Sequence, residues 1–170
     1  VPFGTGLIKN RYVARTFIQP TQQLRELGVR LKLNALSDVV ADKRIVMVDD
    51  SVVRGTTSKQ IVQLLRDAGA TEVHVRSASP KVAWPCFGID TADQHQLVAA
   101  KMSTEEICEY IGADSLGFLS LEGLLACVPS RGYCESCFSG KYPVAIPEDF
   151  HHRFLPENKP DNLHPSYALK

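Results

Sequence analysis

A continuous apolar run, Ile45-Val46-Met47-Val48, is followed at once by two acids, Asp49 and Asp50, and then by Ser51-Val52-Val53-Arg54-Gly55-Thr56-Thr57-Ser58. A run rich in β-branched residues, without alternation, reads as a strand buried on both faces, as in a parallel sheet covered by helices. Beyond the loop, Ile61, Val62, Leu64, Leu65 and Ala68 recur at helical spacing, and Gly69 marks a stop. Glu72 to Ala78 alternates, with Val73 and Val75 inward, and reads as a second strand. Strand, helix and strand in this order make a βαβ unit with a right-handed crossover, so an α/β fold with a parallel sheet and flanking helices is expected.

In such sheets ligands bind beyond the carboxyl ends of the strands. Asp49 and Asp50 stand at such an end, and a helix beginning near Thr57 would bring free N–H groups and the positive end of its dipole to the same place. Gly55 permits close approach of the backbone to a phosphate, and the hydroxyls of Ser51, Thr56, Thr57 and Ser58 add donors. The two carboxylates would repel a phosphate; they suit ribose hydroxyls or a magnesium ion that carries a diphosphate. An isolated Asp-Asp is more often a capping pair. The full order of apolar strand, acids, Arg-Gly-Thr-Thr and helix points instead to a phosphorylated sugar.

Between Lys9 and Lys32 six basic residues (Lys9, Arg11, Arg15, Arg25, Arg30, Lys32) face a single acid, Glu26. Most charge runs are simply solvated. Here Gly28 and Pro20 interrupt the run, which reads as a short strand and a long basic loop, suited to close over an anionic small molecule. Further on, Ser103 and Glu106 have capping-box spacing ahead of Ile107 and Ile111, with Gly112 as a stop. A strand over Leu116 to Leu119 and a helix from Leu121 to Cys127 follow. Periodicity fades from Pro129, and seven of the ten prolines lie at or beyond position 85. Residues 1–128 are therefore expected to form the α/β domain, and 129–170 an irregular, cysteine-containing tail that wraps over it.

A chain of 170 residues suffices for one domain with a real core. Nineteen basic residues balance nineteen acidic ones, which removes the general electrostatic case for a nucleic-acid partner. No apolar run is long enough to cross a bilayer, so no membrane partner is expected. Five cysteines without a signal-peptide pattern argue for a reduced, cytoplasmic setting. The chain opens at Val1 in a stretch that already reads as folded interior, which suggests a piece of a longer protein. Cys134 and Cys137 form a C-x-x-C pair, and Cys86 stands far upstream. Taken alone the pair fits a metal site, a redox dithiol or an incidental spacing. Cys108 and Cys127, among Ile107, Ile111, Leu124 and Leu125, read as packed core thiols.

The stretch from Val46 to Thr57 resembles the phosphoribosyl pyrophosphate (PRPP) motif of the type I phosphoribosyltransferases. Lys9-Asn10-Arg11-Tyr12-Val13, Arg15-Thr16-Phe17-Ile18, Lys32-Leu33-Asn34 and Gly112-Ala113-Asp114-Ser115-Leu116 narrow the resemblance to the glutamine PRPP amidotransferase family, over residues 7–145. The resemblance implies a type I phosphoribosyltransferase fold, incomplete at its N-terminus. It implies a glycosyltransferase that makes 5-phosphoribosylamine from PRPP and glutamine-derived ammonia, the first step of purine synthesis. Asp49 and Asp50 would hold the ribose and Mg2+. Ser51, Val53, Arg54, Gly55, Thr56, Thr57 and Ser58 would cradle the 5′-phosphate. Lys9 and Lys32 match lid lysines that touch bound phosphates, and Arg15 and Thr16 match lid residues that couple to the glutaminase domain.

In the iron–sulfur branch of that family, residues matching Cys86, Cys134 and Cys137 ligate a [4Fe–4S] cluster, with the fourth thiolate coming from upstream of this chain. Trp84 and Tyr133, which flank these cysteines, would shield the cluster or simply pack. The family pattern has a further aromatic between Phe87 and Gly88 that this chain lacks. The resemblance also implies purine nucleotide inhibitors and a homo-oligomer, dimer or tetramer. The glutaminase nucleophile is not in this chain, so residues 1–170 alone are expected not to use glutamine. Two other readings remain at this point: a non-catalytic regulatory module that binds PRPP or nucleotides, and a zinc-stabilised salvage transferase acting on a free base.

Overall fold

The computed structural model describes residues 1–10, 33–86, 94–128 and 132–146. Two short strands, β1 (Leu7–Lys9) and β2 (Leu33–Ala35), pair antiparallel, with Leu7 opposite Ala35 and Lys9 opposite Leu33. One helical turn, α1 (Ser37–Val40), precedes the βαβ unit: β3 (Arg44–Asp49), α2 (Thr56–Asp67) and β4 (Glu72–Ser77). Two 3₁₀ turns, Gln94–Gln96 and Val98–Ala100, come next. Then follow α3 (Thr104–Ile111), β5 (Ser115–Phe118), α4 (Leu121–Ala126) and a last turn, α5 (Ser136–Ser139).

β3, β4 and β5 form a sheet in that order, and its flanking hydrogen bonds show it to be parallel. Thr71 N–H donates to the Lys43 carbonyl at 2.9 Å where β3 and β4 begin, and Ala78 N–H donates to the Asp49 carbonyl at 2.8 Å where both end. Asp114 to Val73 at 2.9 Å and Leu119 to Ser77 at 3.1 Å set β5 beside β4 in the same sense. The βαβ reading thus holds.

The described residues fall into two compact units, one drawn from 1–10, 33–47, 56–75 and 108–115, the other from 48–55, 76–86, 94–107, 116–128 and 132–146. The first is centred on Val40, Met47, Ile61, Val62, Leu65, Val73, Val75 and Ile111, all buried. The three from α2 are among the side chains its helical spacing marks as inward, and each is worth about 1.5–3 kcal/mol when withdrawn from water. At the rim of this unit Asp114 accepts the Val73 N–H at 2.6 Å and an Arg66 Nη2–H at 2.8 Å. The second unit buries Val52, Val82, Ala83, Leu97, Ala99, Ala100 and Ile107. The capping box closes as its spacing requires: Ser103 N–H donates to Glu106 Oε2 at 2.7 Å, and Glu106 N–H to Ser103 Oγ at 3.1 Å.

Two expectations are corrected. β3 is not buried on both faces: Val46 is 46% and Val48 70% exposed, while Met47 is buried. β3 is an outer strand of the three, and no described element covers that face. Cys127 is not a core thiol either. α4 buries none of its residues, and Cys127 is exposed at its end, with its thiol donating to the Gly123 carbonyl at 3.2 Å. Cys108 is half-buried and donates to the Ala113 carbonyl at 3.2 Å. Among the described residues, no helix is long and apolar enough to cross a membrane.

Candidate functional site

Asp49 is the last residue of β3, so the strand delivers its carboxylate to the carboxyl end of the sheet. The Asp50 N–H donates to Asp49 Oδ1 at 3.0 Å, and Ser51 Oγ donates to Asp50 Oδ1 at 3.3 Å. Burial pushes the Asp49 carboxyl above its ordinary range; the Asp50 N–H opposes that rise, and the Asp50 charge adds to it. A paired acid of this kind gains from any cation or hydroxyl donor placed against it.

The loop that follows is anchored, not free. Val52 is buried, and the Val53 carbonyl accepts the Val98 N–H at 3.0 Å. Arg54 Nε donates to Gln96 Oε1 at 2.9 Å while the arginine itself stays exposed. Gly55 turns at φ +72, in the left-handed region where a side chain is strained, and the chain enters α2 at the next residue. Ser51 and Thr56 are half-buried and Thr57 exposed, whereas Ser58 is only 2% exposed, so its hydroxyl is withdrawn from solvent. Lys9 ends β1 and is exposed; Lys32, Arg15 and Thr16 lie outside the described residues.

The sequence reading passed over Lys81. It follows Ser77-Ala78-Ser79-Pro80 past the end of β4, and its Nζ stands 5.8 Å from the ring centroid of Phe118, the last residue of β5. Burial pulls its ammonium below the ordinary value, and Glu105 works against that. The available signal was positional: a lysine just past a strand's carboxyl end sits where this fold binds ligands.

The three candidate cluster cysteines occupy one region of the second unit. Ala83 and Trp84 N–H groups both donate to the Cys137 carbonyl at 3.1 Å, and the Tyr142 hydroxyl donates to the Pro85 carbonyl at 2.7 Å. Gly140 turns at φ +73 against the Trp84 ring, whereas Tyr133 is exposed. The Ser136 hydroxyl and N–H hold the exposed Cys134 thiol below its ordinary range. Burial pushes the Cys137 thiol up, with Cys86 and then Cys134 adding. Burial, then the three thiols, push the Tyr142 phenol up to about 12.

Among the described residues, no group of three or more His, Cys, Asp or Glu side chains is gathered to hold a metal ion. An iron–sulfur cluster makes a different demand, since each thiolate meets a separate iron. Three soft thiols, with Cys86 and Cys134 each within electrostatic reach of Cys137 and two of the three half-buried, fit that donor chemistry.

No protein-family model matches the chain. It is similar to the amidophosphoribosyltransferase of Synechocystis sp., 58% identical over 151 residues, 87% of this chain and 30% of that protein. The amidophosphoribosyltransferase of Bacillus subtilis is 58% identical over 156 residues, 88% of this chain and 33% of that protein. Among solved structures, glutamine PRPP amidotransferase from B. subtilis complexed with ADP and GMP matches with TM-score 0.72 and 60% identity, over 85% of this chain and 33% of that one. A structure described as the allosteric regulatory enzyme of purine biosynthesis matches with TM-score 0.74 and 58% identity, over 88% of this chain and 34% of that one. The chain spans about a third of the length of the curated relatives it matches. At this identity over most of its residues, the chain is a homologue of the amidophosphoribosyltransferases, equivalent to about one third of such a protein, and its fold is that of a type I phosphoribosyltransferase.

Proposed function

We propose that this chain is the PRPP-binding part of an amidophosphoribosyltransferase, which joins ammonia released from glutamine to a phosphoribosyl group. The observation that carries the reading is the order at the end of β3. Two linked carboxylates, Asp49 and Asp50, are followed by an anchored loop that turns at Gly55 into α2. On this reading Asp49 and Asp50 orient the ribose hydroxyls. Ser51, Thr56, Thr57 and the backbone N–H groups of Val53, Arg54 and Gly55 take the 5′-phosphate. Ser58 supports the loop from inside, since its hydroxyl is buried. Lys9, Lys32, Arg15 and Thr16 belong to the basic segment that meets the diphosphate and the glutaminase domain.

In the reaction the ammonia lone pair forms a C–N bond at the anomeric carbon. The C–O bond to diphosphate breaks, and its electron pair leaves with the diphosphate. Asp49 and Asp50 would hold Mg2+, which when bound offsets the charge of the departing diphosphate. Cys86, Cys134 and Cys137 would supply three of the four thiolates of a [4Fe–4S] cluster, which when bound tethers the tail. Purine nucleotides, as in the B. subtilis complex with ADP and GMP, are proposed as further ligands of the same region. A cytoplasmic homo-oligomer completes the reading.

Calorimetric titration of PRPP with Mg2+ tests it, comparing wild type with Asp49→Asn/Asp50→Asn. Binding by wild type and its loss in the double variant are expected. Equal affinity in the two proteins would remove the carboxylates from the site, and no binding by wild type would remove the site itself.

A further inference from the structure

The loop at residues 50–55 and the cysteine-bearing turn α5 are far apart in sequence, yet in the second unit they rest on the same support. Val82, Leu97 and Ala100 form a buried apolar cluster, and three partly buried residues pack against it: Val53 from the loop, and Cys137 and Phe138 from α5. The polar anchors of the loop lead to the same place. Val53 accepts from Val98 and Arg54 donates to Gln96, so both bonds end in the segment 94–100. That segment meets Ala83 through Gln94, whose Nε2 approaches the Ala83 carbonyl at 3.4 Å. Ala83 in turn donates its N–H to the Cys137 carbonyl at 3.1 Å. A contiguous chain of packed and hydrogen-bonded groups therefore runs from the loop to the cysteine turn, and such chains carry coupling between sites.

We propose that Phe138 is a positioning residue for the ligand loop: its ring backs the Val82–Leu97–Ala100 cluster on which Val53 is seated, so that docking of α5 sets the conformation of residues 50–55. The inference rests on the reading of that loop as the PRPP loop. Phe138 touches no ligand in this account. It acts by filling space, because interiors are close-packed and a void beside the Val82–Leu97–Ala100 cluster lets the side chains packed on it move. An anion cradle made of main-chain N–H groups loses effect once its backbone wanders, since preorganisation is its whole contribution.

Amide hydrogen exchange on the full chain without ligand tests the coupling, comparing wild type, Phe138→Ala and Phe138→Leu. Phe138→Ala is expected to raise exchange about tenfold in peptides covering 51–55 and 94–100, with peptides from 37–47 and 59–75 unchanged. Phe138→Leu, which refills most of the space, is expected to return toward wild type. Faster exchange confined to 132–146 would overturn the proposal. If Phe138→Ala unfolds the whole chain, Phe138→Leu and Phe138→Val are read the same way. A graded rise at 51–55 upholds the coupling, and a rise in the tail alone overturns it. PRPP titration of the same variants provides the second readout, with weaker binding by Phe138→Ala and recovery by Phe138→Leu. Failure of wild type to bind PRPP would remove the ligand reading and leave the exchange result standing on its own.

Discussion

The Tyr142 hydroxyl donates to the main-chain carbonyl of Pro85 at 2.7 Å, one residue before Cys86 and fifty-seven residues away along the chain. The bond joins the two segments that the Ala83 and Trp84 N–H groups also tie to Cys137, at a place where the phenol is half-buried. Tyr142→Phe keeps the ring and removes the donor, so the Pro85 carbonyl is left to find water. The expected loss is about 1–3 kcal/mol, the cost of stranding a partly buried acceptor. Urea unfolding checks it: a midpoint equal to that of wild type would show that the bond contributes nothing.

Gly140 makes a sharper prediction. A Cβ placed there falls 2.6 Å from Trp84 Cε2, and the residue turns at φ +73. Gly140→Ala must therefore move the indole and also bear backbone strain, for an expected cost of about 1–3 kcal/mol. Trp84 is the only tryptophan in the chain, so its fluorescence reports the displacement directly. Gly132→Ala is the control, since Gly132 turns at φ +103 with nothing within 4 Å of the added atom. Gly132→Ala is expected to lower stability without shifting the emission. Equal spectra for all three proteins would show that the ring is not seated on Gly140.

What the sequence disclosed was local. The βαβ unit, the Ser103–Glu106 box and the acids beside the Gly55 turn each declare themselves within a few residues, through spacing and residue type. The β1–β2 pairing escaped notice because it joins Leu7 to Ala35 across a stretch with no periodicity of its own. The exposure of Val46 and Val48 escaped because an apolar run reads alike in a central strand and an outer one. Within the site, Asp49, Asp50 and Gly55 were legible as a contiguous motif. The bonds that hold the loop, Val53 with Val98 and Arg54 with Gln96, were not, since long-range pairs leave no mark on hydrophobic patterning. Lys81 was passed over because one lysine after a strand carries no motif.

The two thiols of the C-x-x-C pair are predicted to react unequally in protein freed of any bound group. Cys134 is exposed, and the Ser136 hydroxyl and N–H favour its thiolate; Cys137 is half-buried, and burial disfavours its thiolate. Thiolate, not thiol, is the nucleophile, so iodoacetamide is expected to label Cys134 first by about tenfold or more at neutral pH. Peptide mapping at partial labelling reads the order. Ser136→Ala is expected to slow Cys134 and narrow the difference, and faster labelling of Cys137 would contradict the geometry.

Asp114 supplies the acid-side prediction. Its carboxyl accepts the Val73 N–H at 2.6 Å and an Arg66 Nη2–H at 2.8 Å. The Val73 N–H, and after it Arg66, hold it below its ordinary value of 3.8. An acid with a depressed folded-state pKa stabilises the fold fully above the unfolded value, and that contribution is lost as pH falls through the folded one. Asp114→Asn removes the charge, so the variant should be less stable than wild type by a constant margin from about pH 7 down to about pH 5. As pH falls through the ordinary value of 3.8 the carboxyl takes up its proton in the unfolded wild-type chain before it does so in the folded one, and the margin should shrink. Glu72 is lowered in the same direction by Arg44 and then His74, but it is present in both proteins and cancels in the comparison. Urea midpoints measured across this range decide the matter: a margin that stays constant to the lowest pH at which both proteins fold would show that the Asp114 charge is not what holds the start of β4 to the turn before β5.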